Sequence, residues 1–348
     1  MSRKHISLIS VALIFASGAT TAQSPPPAAE PESQTLSIGV IVQRTTPAVL
    51  YVMNQTTGID AVDLRTGTLL WHSDHAAAPL LARANELLAV GPPLPGRTAG
   101  RLFVLDTRTG DVRSQLPDLE VNGWRVVLEQ DLRTSFELYG CVRRDRDFLV
   151  WKAETRDVSP VAHPARGGQV VRGAVEVDLA RATLVPTTEV FPERFLAEKS
   201  DGRGGSVWEP FQTGGVRVTV AKPIRHNSYI ILLRRARGRE TLPDVILAKR
   251  PTQFWNPEVS VDRHHVLVAY YDKERYDVTA FDAATGKRLG HLVIDSWPAP
   301  FLIWDHLLVW YTPSVVRVAD LASGKTLFAH AVRDLAYRGP YPPGAARP

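Results

Sequence analysis

The amino-acid sequence predicts an all-β fold of the β-propeller type, a ring of four-stranded antiparallel sheets in which each sheet is a blade. Two observations predict it. A short signature recurs about every 43 residues, and the apolar runs between its copies are rich in β-branched and aromatic residues. The 348 residues, 44% of them hydrophobic, suffice for a large core. We expect seven blades, with eight as the alternative, since one blade takes about 40–45 residues.

The signature is an Asp, two variable residues, a Thr or Ser, and a Gly. Four ungapped segments carry it: AVDLRTGTLLW (61–71), VLDTRTGDVRS (104–114), AFDAATGKRLG (280–290) and VADLASGKTLF (318–328). Its residues are Asp63, Thr66 and Gly67; Asp106, Thr109 and Gly110; Asp282, Thr285 and Gly286; and Asp320, Ser323 and Gly324. The interval from Asp106 to Asp282 is close to four periods, so we expect the repeat to continue through the middle of the chain.

The middle of the chain offers weaker copies of the signature. In residues 148–158 Lys152 takes the position of the Asp, and in residues 229–240 Arg234 does. A further copy, in residues 174–185, offers Asp178, but it lies only 26 residues after Lys152. A four-stranded blade does not fit in that interval, so we interpret this copy as shifted or irregular.

The chemistry of the signature indicates a tight hairpin. The Asp carboxylate can accept backbone N–H groups two residues on, the Thr or Ser hydroxyl adds a local bond, and the Gly supplies a positive φ. Metal binding by these Asp residues is the alternative, but the same role in every copy favours folding. The string SGKT at 323–326 is not a phosphate loop, because position 319 is Ala and a β context surrounds it.

The ends of the chain predict an exported protein. Residues 1–22 have a short basic start, about eleven apolar residues and a small-residue cleavage site, which is typical of a secretory signal. Residues 23–35 are Pro-rich and predict a disordered linker, residues 36–337 the propeller, and residues 338–348 a flexible tail. We expect the segment near Leu36–Val42 to complete the last blade. No later stretch reaches 18 apolar residues, so we predict no transmembrane segment after signal removal.

The full match of Ala61, Asp63, Thr66, Gly67 and Trp71 to A-x-D-x-x-T-G-x-x-x-W resembles the repeat of the pyrroloquinoline-quinone (PQQ)-type propellers. That family includes quinoprotein dehydrogenases and the BamB-type outer-membrane assembly lipoprotein. The resemblance implies that the Trp docks between adjacent blades. The corresponding positions in the other copies are Ser114, Gly290 and Phe328, so other apolar residues must contribute to the docking.

The resemblance implies a fold and leaves the activity open. Quinoprotein dehydrogenases pair adjacent cysteines against the cofactor, whereas Cys141 is the only cysteine of this chain. No calcium loop, G-x-S-x-G elbow or H-E-x-x-H helix is present in the sequence. His264 and His265 are neighbours on a predicted strand and would point to opposite faces, which disfavours a shared metal. We therefore predict no catalytic or metal residues and no cofactor, with PQQ and calcium as the alternative.

Two clusters could serve recognition. Arg234, Arg235, Arg237 and Arg239 crowd one predicted hairpin tip and could bind an anionic polymer or an acidic partner, or form a solvated turn. The aromatic residues of a C-terminal blade could form a sugar-stacking surface or fill the core: Trp297, Phe301, Trp304, Trp310 and Tyr311. The net charge of +5 is too small to favour nucleic acid.

The function expected from the sequence is a non-catalytic interaction scaffold, periplasmic or extracellular, that binds another envelope or extracellular protein or an anionic polymer through its loops. The alternatives are a PQQ- or metal-dependent oxidoreductase, or another enzyme, with its site at the mouth of the propeller channel, and a small-ligand binder without chemistry.

Overall fold

The computed structural model describes the chain from Ser33 to Arg333 with gaps. The described residues are 33–37, 39–91, 99–120, 133–143, 145–156, 170–189, 216–221, 228–237, 240–251, 258–261, 264–272, 275–296, 301–312 and 314–333. Within them the chain forms antiparallel strands in six sheets and no helix. The all-β prediction is therefore confirmed. The predicted seven blades are not confirmed, because the described residues form six sheets.

The sheets follow one another along the chain, and each is built of consecutive strands. Sheet 1 contains β1 (Ser33–Ser37), β2 (Val40–Gln43), β3 (Val49–Met53), β4 (Ile59–Asp63) and β5 (Leu69–Ser73). Sheet 2 contains β6 (Ala78–Arg83), β7 (Glu86–Val90), β8 (Ala99–Asp106) and β9 (Val112–Glu120). Sheet 3 contains β10 (Arg133–Arg143), β11 (Arg146–Arg156), β12 (Val170–Asp178) and β13 (Thr183–Pro186).

The second half of the chain continues the pattern. Sheet 4 contains β14 (Val216–Ala221), β15 (Ser228–Arg237) and β16 (Glu240–Pro251). Sheet 5 contains β17 (Glu258–Val261), β18 (His265–Asp272), β19 (Arg275–Asp282) and β20 (Arg288–Ile294). Sheet 6 contains β21 (Phe301–Trp304), β22 (Leu307–Thr312), β23 (Val315–Asp320) and β24 (Lys325–Ala331).

Strands early in a sheet are more buried than the last strand. Every residue of β2 is buried, whereas β24, the last strand of its sheet, is mostly exposed. A strand buried on both faces needs apolar side chains at successive positions, and VIVQ and VLYVM in β2 and β3 supply them. These strands of sheet 1 are therefore covered on both faces, as stacked blades require.

Apolar clusters join consecutive sheets at four junctions in the described residues: 1 with 2, 2 with 3, 4 with 5, and 5 with 6. A fifth cluster joins the last sheet to the first. It is formed by residues of sheet 1, residues of sheet 6 and Val332: Leu36, Val40, Val42, Ala48, Leu50, Val52, Val62, Leu64, Leu302, Leu307, Val309, Val316, Val318 and Val332. Packing of the first sheet against the last closes the ring, which is the arrangement of a β-propeller.

The first strand differs from its prediction. It begins at Ser33, three residues before the predicted start of the domain, and pairs with β2 in sheet 1 and not with sheet 6. The segment Leu36–Val42 therefore spans a hairpin, turning at Gly39 with φ +73°, and does not complete the last blade. β1 also contacts β6, β10 and β22, which belong to sheets 2, 3 and 6. A strand that touches three other sheets lies where their inner edges converge, at the centre of the ring.

Candidate functional site

The signature Asp residues end strands and hold the turns that follow, which we call corners. Asp63 Oδ1 accepts the backbone N–H of Arg65 at 3.0 Å and that of Thr66 at 2.8 Å, and the Thr66 hydroxyl at 2.9 Å. The backbone N–H of Gly67 then donates to Asp63 O at 2.9 Å, with Gly67 at φ +73°. The carboxylate is thus engaged within its own turn.

The other three corners repeat this geometry with variations. Asp282 Oδ1 accepts from the N–H and the hydroxyl of Thr285 at 2.7 and 2.6 Å, and Gly286 has φ +73°. In the remaining two corners the carboxylates accept the N–H groups of Arg108 and Ala322, both at 2.8 Å. The backbone bond from Arg108 and the guanidinium of Arg113 lower the pKa of Asp106. Each of these carboxylates therefore holds the turn that follows it.

The corner glycine of sheet 2 is covered by an aromatic side chain of the preceding sheet. Trp71 of sheet 1 covers Gly110 of sheet 2, where an added Cβ would lie 2.6 Å from the ring. Its indole Nε1 donates to Thr107 O at 2.8 Å, and Ser73 Oγ donates to Gly110 O at 2.8 Å. Trp71 therefore docks between adjacent blades, as the resemblance to the PQQ-type repeat implies.

The same docking closes the ring. Phe328 of sheet 6, at the position equivalent to Trp71, covers Gly67 of sheet 1. The guanidinium of Arg65 pairs with Asp305 of sheet 6 at 2.9 Å and lies 5.7 Å above the ring of Trp304. An aromatic ring and an ion pair thus join the first corner to the last sheet.

The middle copies of the signature lie elsewhere than predicted. Lys152 lies inside β11, opposite Glu137 and Arg172, and Arg234 lies inside β15, opposite Arg217. The corner of sheet 3 starts instead at Asp178, whose Oδ1 accepts the N–H of Arg181 at 3.0 Å. Placing Lys152 and Arg234 at corners was therefore wrong, because an approximate period cannot choose between two nearby alignments when blades differ in length.

A buried carboxylate with two histidines lies at the junction of sheets 1 and 6, and the sequence analysis missed it. Asp60 of β4 is 4% exposed. It contacts His72 Nδ1 at 2.7 Å, accepts from Asn54 at 2.8 Å, and contacts His330 Nε2 of sheet 6 at 3.0 Å. His72 Nε2 in turn lies 3.0 Å from Asp74 Oδ1. The signal in the sequence was Asp60, an acidic residue between the apolar residues Ile59 and Ala61 of β4.

The hydrogen bonds of this cluster favour the ionised forms of Asp60 and His72. Burial raises the pKa of Asp60, but the hydrogen bonds from His72, Asn54 and His330 outweigh it and lower that pKa overall. The hydrogen bond to Asp60, followed by that to Asp74, raises the pKa of His72. Because both ring nitrogens of His72 lie within hydrogen-bond distance of carboxylates, the fold favours the protonated form of this imidazole.

A second buried carboxylate lies between sheets 2 and 3. Asp147 is 6% exposed, and burial raises its pKa against the opposing effect of Arg83. Arg83 donates to Asp147 Oδ1 at 2.9 Å and to the backbone O of Asp145 at 3.1 Å. This ion pair satisfies a carboxylate at a junction between blades.

The remaining predicted positions are distributed over separate sheets. The backbones of Arg234, Arg235 and Arg237 lie on β15, with Arg237 opposite Glu240 at the hairpin end, and Arg239 lies outside the described residues. His264 precedes β18, and its ring centroid is 6.1 Å from that of His265. Burial raises the pKa of Cys141 to about 11, which keeps this thiol protonated and unreactive.

The C-terminal aromatic residues divide between core and surface. Trp310 is fully buried and donates from Nε1 to Ser296 Oγ at 3.3 Å, and Phe301 is also buried. Trp304 and Tyr311 are half-buried against the core of the first and last sheets. Trp297 and the predicted mobile loop 200–206 lie outside the described residues.

An open groove of about 360 Å³ lies between sheets 5 and 6. It is lined by the start of β20 and by the corner of sheet 6: Arg288, Leu289, Gly290, His291, Leu321, Ala322, Ser323 and Gly324. His291 is fixed by Asp277, whose Oδ1 lies 2.7 Å from His291 Nε2. This groove is a concave feature of the described surface.

In the part of the chain that the structure describes, no group of three or more His, Cys, Asp or Glu side chains has the arrangement of a metal site. No helix there is long and apolar enough to cross a bilayer.

Comparisons with known proteins find likenesses of fold at low identity. No protein-family model matches the chain, and no curated protein sequence matches it. An uncharacterized protein, lmo1340 of Listeria monocytogenes EGD-e, is 11% identical, with 87% of this chain and 95% of that chain covered and a TM-score of 0.37. The Dos1 propeller is 13% identical over 82% and 67% of the two chains, with a TM-score of 0.24. A europium-containing methanol dehydrogenase is 12% identical over 84% and 68%, with a TM-score of 0.26.

Proposed function

We propose that this chain is an exported, non-catalytic β-propeller that acts as an interaction scaffold in the bacterial envelope or the extracellular space. The observation that carries the proposal is the place of β1. An active site needs a concave pocket that a substrate can enter, and the place where the inner strands converge is one position for such a pocket. Here Ser33–Ser37 lies among strands of sheets 2, 3 and 6, and the Ser33 hydroxyl donates to the backbone O of Ala82.

The state of the reactive side chains supports the same proposal. The Cys141 thiol has a pKa of about 11, and both nitrogens of His72 face carboxylates. Asp147 is held by Arg83. A catalytic base or nucleophile needs a lone pair that can reach the substrate. His72 and Asp147 are engaged by partners within the fold, and burial disfavours the thiolate of Cys141.

The resemblance to the PQQ-type repeat supports the blades and their docking in this proposal, and not a cofactor.

Export follows from the predicted signal in residues 1–22, which precede the described chain. Expression of the full chain and of a variant lacking residues 1–22 in a bacterium tests it. We expect the full chain, shortened, in the periplasmic or culture fraction and the variant in the cytoplasm. Equal distribution of the two would contradict export.

The partner we propose is an envelope or extracellular protein or an anionic polymer, with Arg234, Arg235, Arg237 and Arg239 as a contact. Four arginines within six residues concentrate positive charge at one hairpin. Replacing all four by Ser should abolish retention on a heparin column at about 0.1 M salt, where charge contacts are only partly screened. The matched control replaces four exposed cations on other sheets: Arg108, Arg181, Arg275 and Lys325. Equal loss of retention in the control would contradict a specific contact.

The oxidoreductase alternative is tested by thermal unfolding with saturating PQQ and Ca²⁺. A ligand that binds the native state at a hundred times its Kd stabilises it by about 2.7 kcal/mol. We expect no change in Tm and no dye-linked alcohol oxidation. A rise in Tm of several degrees together with turnover would replace the scaffold proposal by the enzyme alternative.

A further inference from the structure

Three arginines in the described part of the chain stack on an aromatic ring. In each pair the guanidinium carbon lies between 5.1 and 5.7 Å from the ring centroid: Arg65 over Trp304, Arg101 over Phe103, and Arg146 over Phe148. A ring attracts the cation and holds the plane of the guanidinium, so that its N–H groups present a fixed fork to a further ligand.

Two of these stacked arginines also bind a carboxylate of the chain. Arg65 donates to Asp305 at 2.9 Å, and Arg146 donates to Glu176 at 2.9 Å. The arrangement at Arg146 matches that at Arg101, because in both the ring belongs to the residue two positions further along the same strand. The chain thus uses a stacked arginine to bind a carboxylate.

Arg101 has the ring and lacks the carboxylate. Its Nε is shielded from solvent and has no hydrogen-bond acceptor. The other partly buried arginines of the described residues each bond an oxygen of the chain: Arg44, Arg83, Arg143, Arg146, Arg317 and Arg333. A guanidinium that is partly withdrawn from water without an acceptor costs stability, which favours a role outside the fold.

A bulge in sheet 2 sets the direction of Arg101. Gly100 pairs with Leu119 and Leu102 pairs with Leu116, so Arg101 alone lies opposite two residues of β9. Bulges of this kind redirect a side chain, and they are common beside functional sites.

Two further contacts support the position of Arg101. The backbone N–H of Gly91 donates to Arg101 O at 2.8 Å. An added Cβ on Gly91 would lie 2.6 Å from the ring of Phe103, so the glycine makes room for the ring that the guanidinium covers. Asp118, one of the two residues opposite the bulge, has an interaction of its own and forms no ion pair with Arg101.

We propose that Arg101 binds a carboxylate of a partner protein through its two Nη atoms. The inference rests on the proposed scaffold function and specifies the chemistry of one contact. The partner's carboxylate takes the role that Glu176 has beside Arg146 and Asp305 has beside Arg65. A single cation matches the one negative charge of a carboxylate, whereas a phosphate polymer is bound best by several cations.

The test is an NMR titration of the full folded chain. Because the Nε–H of Arg101 is shielded from solvent, its exchange with water is slow and its resonance can be followed. The probe is N-acetyl-Glu-amide, and the reference is N-acetyl-Gln-amide, which has the same shape without the charge. We expect the Glu compound to shift this resonance with a Kd of about 10 mM and the Gln compound to bind at least roughly tenfold more weakly, which corresponds to ~1.4 kcal/mol.

Two outcomes of the titration would overturn the proposal. The first is equal response, or no response, to the Glu and Gln compounds. The second is a response to methyl phosphate at a roughly tenfold lower concentration than to the Glu compound, which would assign Arg101 to a phosphate-bearing polymer.

The variant Arg101→Lys keeps the charge and removes the planar fork. With the amide of Gly91 as the reporter, it should bind the Glu compound at least roughly fivefold more weakly than the parent. The matched control is Arg275→Lys, which changes an exposed arginine of sheet 5 and should bind as the parent does. Equal weakening in the two variants would contradict a site at Arg101.

The variant Arg101→Met separates a binding role from a structural one. It replaces the cation by an apolar side chain of similar length, and we expect Tm within a few degrees of the parent together with loss of the response to the Glu compound. A fall in Tm of more than about 5 °C would assign Arg101 to the fold and overturn the proposal.

These measurements distinguish the Arg101 contact from the scaffold function. If the chain is retained on heparin by its arginine hairpin and ignores the Glu compound, the contact is wrong and the scaffold function stands. If the chain oxidises alcohols with PQQ and still binds the Glu compound, the scaffold function is wrong and Arg101 remains a carboxylate site.

Discussion

The junction between sheets 6 and 1 differs from that between sheets 5 and 6, although the same repeat position forms both. In the first, Phe328 fills the space over Gly67, and Arg65 pairs with Asp305 across the seam. In the second, Gly290 lets the backbone approach Leu321, and a groove remains beside Gly324. The eighth residue after the signature Asp therefore decides how neighbouring sheets meet: an aromatic side chain fills the junction, whereas glycine allows direct contact between the backbones.

Removing the aromatic side chain from the equivalent position of sheet 1, Trp71, should have the largest effect on stability. Trp71→Ala deletes a ring that is 8% exposed and breaks the bond from Nε1 to Thr107 O. We expect a loss of about 3–5 kcal/mol in the free energy of unfolding, measured by urea denaturation. The control Leu70→Ala removes an exposed neighbour, 46% accessible, and should change stability by less than about 0.5 kcal/mol. Similar losses in the two variants would mean that Trp71 is not the docking residue.

Adding a side chain at the backbone contact should have the next largest effect. The methyl group of Gly290→Ala would overlap the carbonyl O of Leu321, so sheets 5 and 6 must separate. We expect a loss of about 1–3 kcal/mol in urea denaturation. Val293→Ala, on the same strand at a position 52% exposed, serves as the control and should be nearly neutral. If Gly290→Ala left the free energy of unfolding unchanged, the backbone contact at this junction would not require glycine.

The corner of sheet 3 has an alanine at the position where the other corners have glycine. Ala182 has φ +52°, in the region that the corner glycines occupy elsewhere. Ala182→Gly should relieve strain and stabilise the fold by about 1 kcal/mol in urea denaturation. Ala180→Gly makes the same change two residues earlier, where φ is not positive, and should destabilise slightly because it adds freedom to the unfolded chain. Destabilisation by Ala182→Gly would refute strain at this corner.

The smallest expected effect is the change of stability with pH that arises from Asp60 and His72, near the junction of sheets 1 and 6. The raised pKa of His72 contributes stability that is complete below pH 6.5 and is lost as pH rises through the folded-state value. The lowered pKa of Asp60 contributes stability that is present above pH 3.8 and is lost as pH falls through its folded-state value. The closure should therefore be strongest between about pH 4 and 6.5.

Urea midpoints measured from pH 5.5 to pH 9 test this. We expect stability to fall by about 0.5 kcal/mol, since His72 is one-third exposed and solvent screens its ion pairs. His72→Gln should remove that fall. His291→Gln changes a histidine–aspartate pair away from this junction, His291 with Asp277, and should keep the fall in stability. An unchanged pH profile in His72→Gln would exclude this histidine as the cause.

Local features were predictable to the extent that they depend on neighbours in the chain. The corners at Asp63 and Asp282 have the Asx geometry expected of Asp-x-x-Thr-Gly, because every bond involved spans only a few residues. The corner at Asp178 could be recognised only as irregular, since its Ala182 stands where the others have glycine. The place of Lys152 within a strand depends on pairing with β10 and β12, which the local sequence does not specify.

The candidate site was less predictable than the fold. Asp60 and His330 are 270 residues apart in the chain and 3.0 Å apart in space, so no local pattern connects them. The groove beside Gly324 likewise needs two facts from different sheets: the absent side chain at Gly290 and the approach of Leu321. Only the glycine was visible in the sequence.

The sequence by itself determined the β character of the chain and the turns that end its strands, because both arise from short-range sterics and hydrogen bonds. The tertiary structure decided the place of β1 at the centre, the packing of the first sheet against the last, and the groove beside Gly324. Those features depend on contacts such as Arg65 with Asp305, 240 residues apart, whose geometry is set only when all sheets have packed.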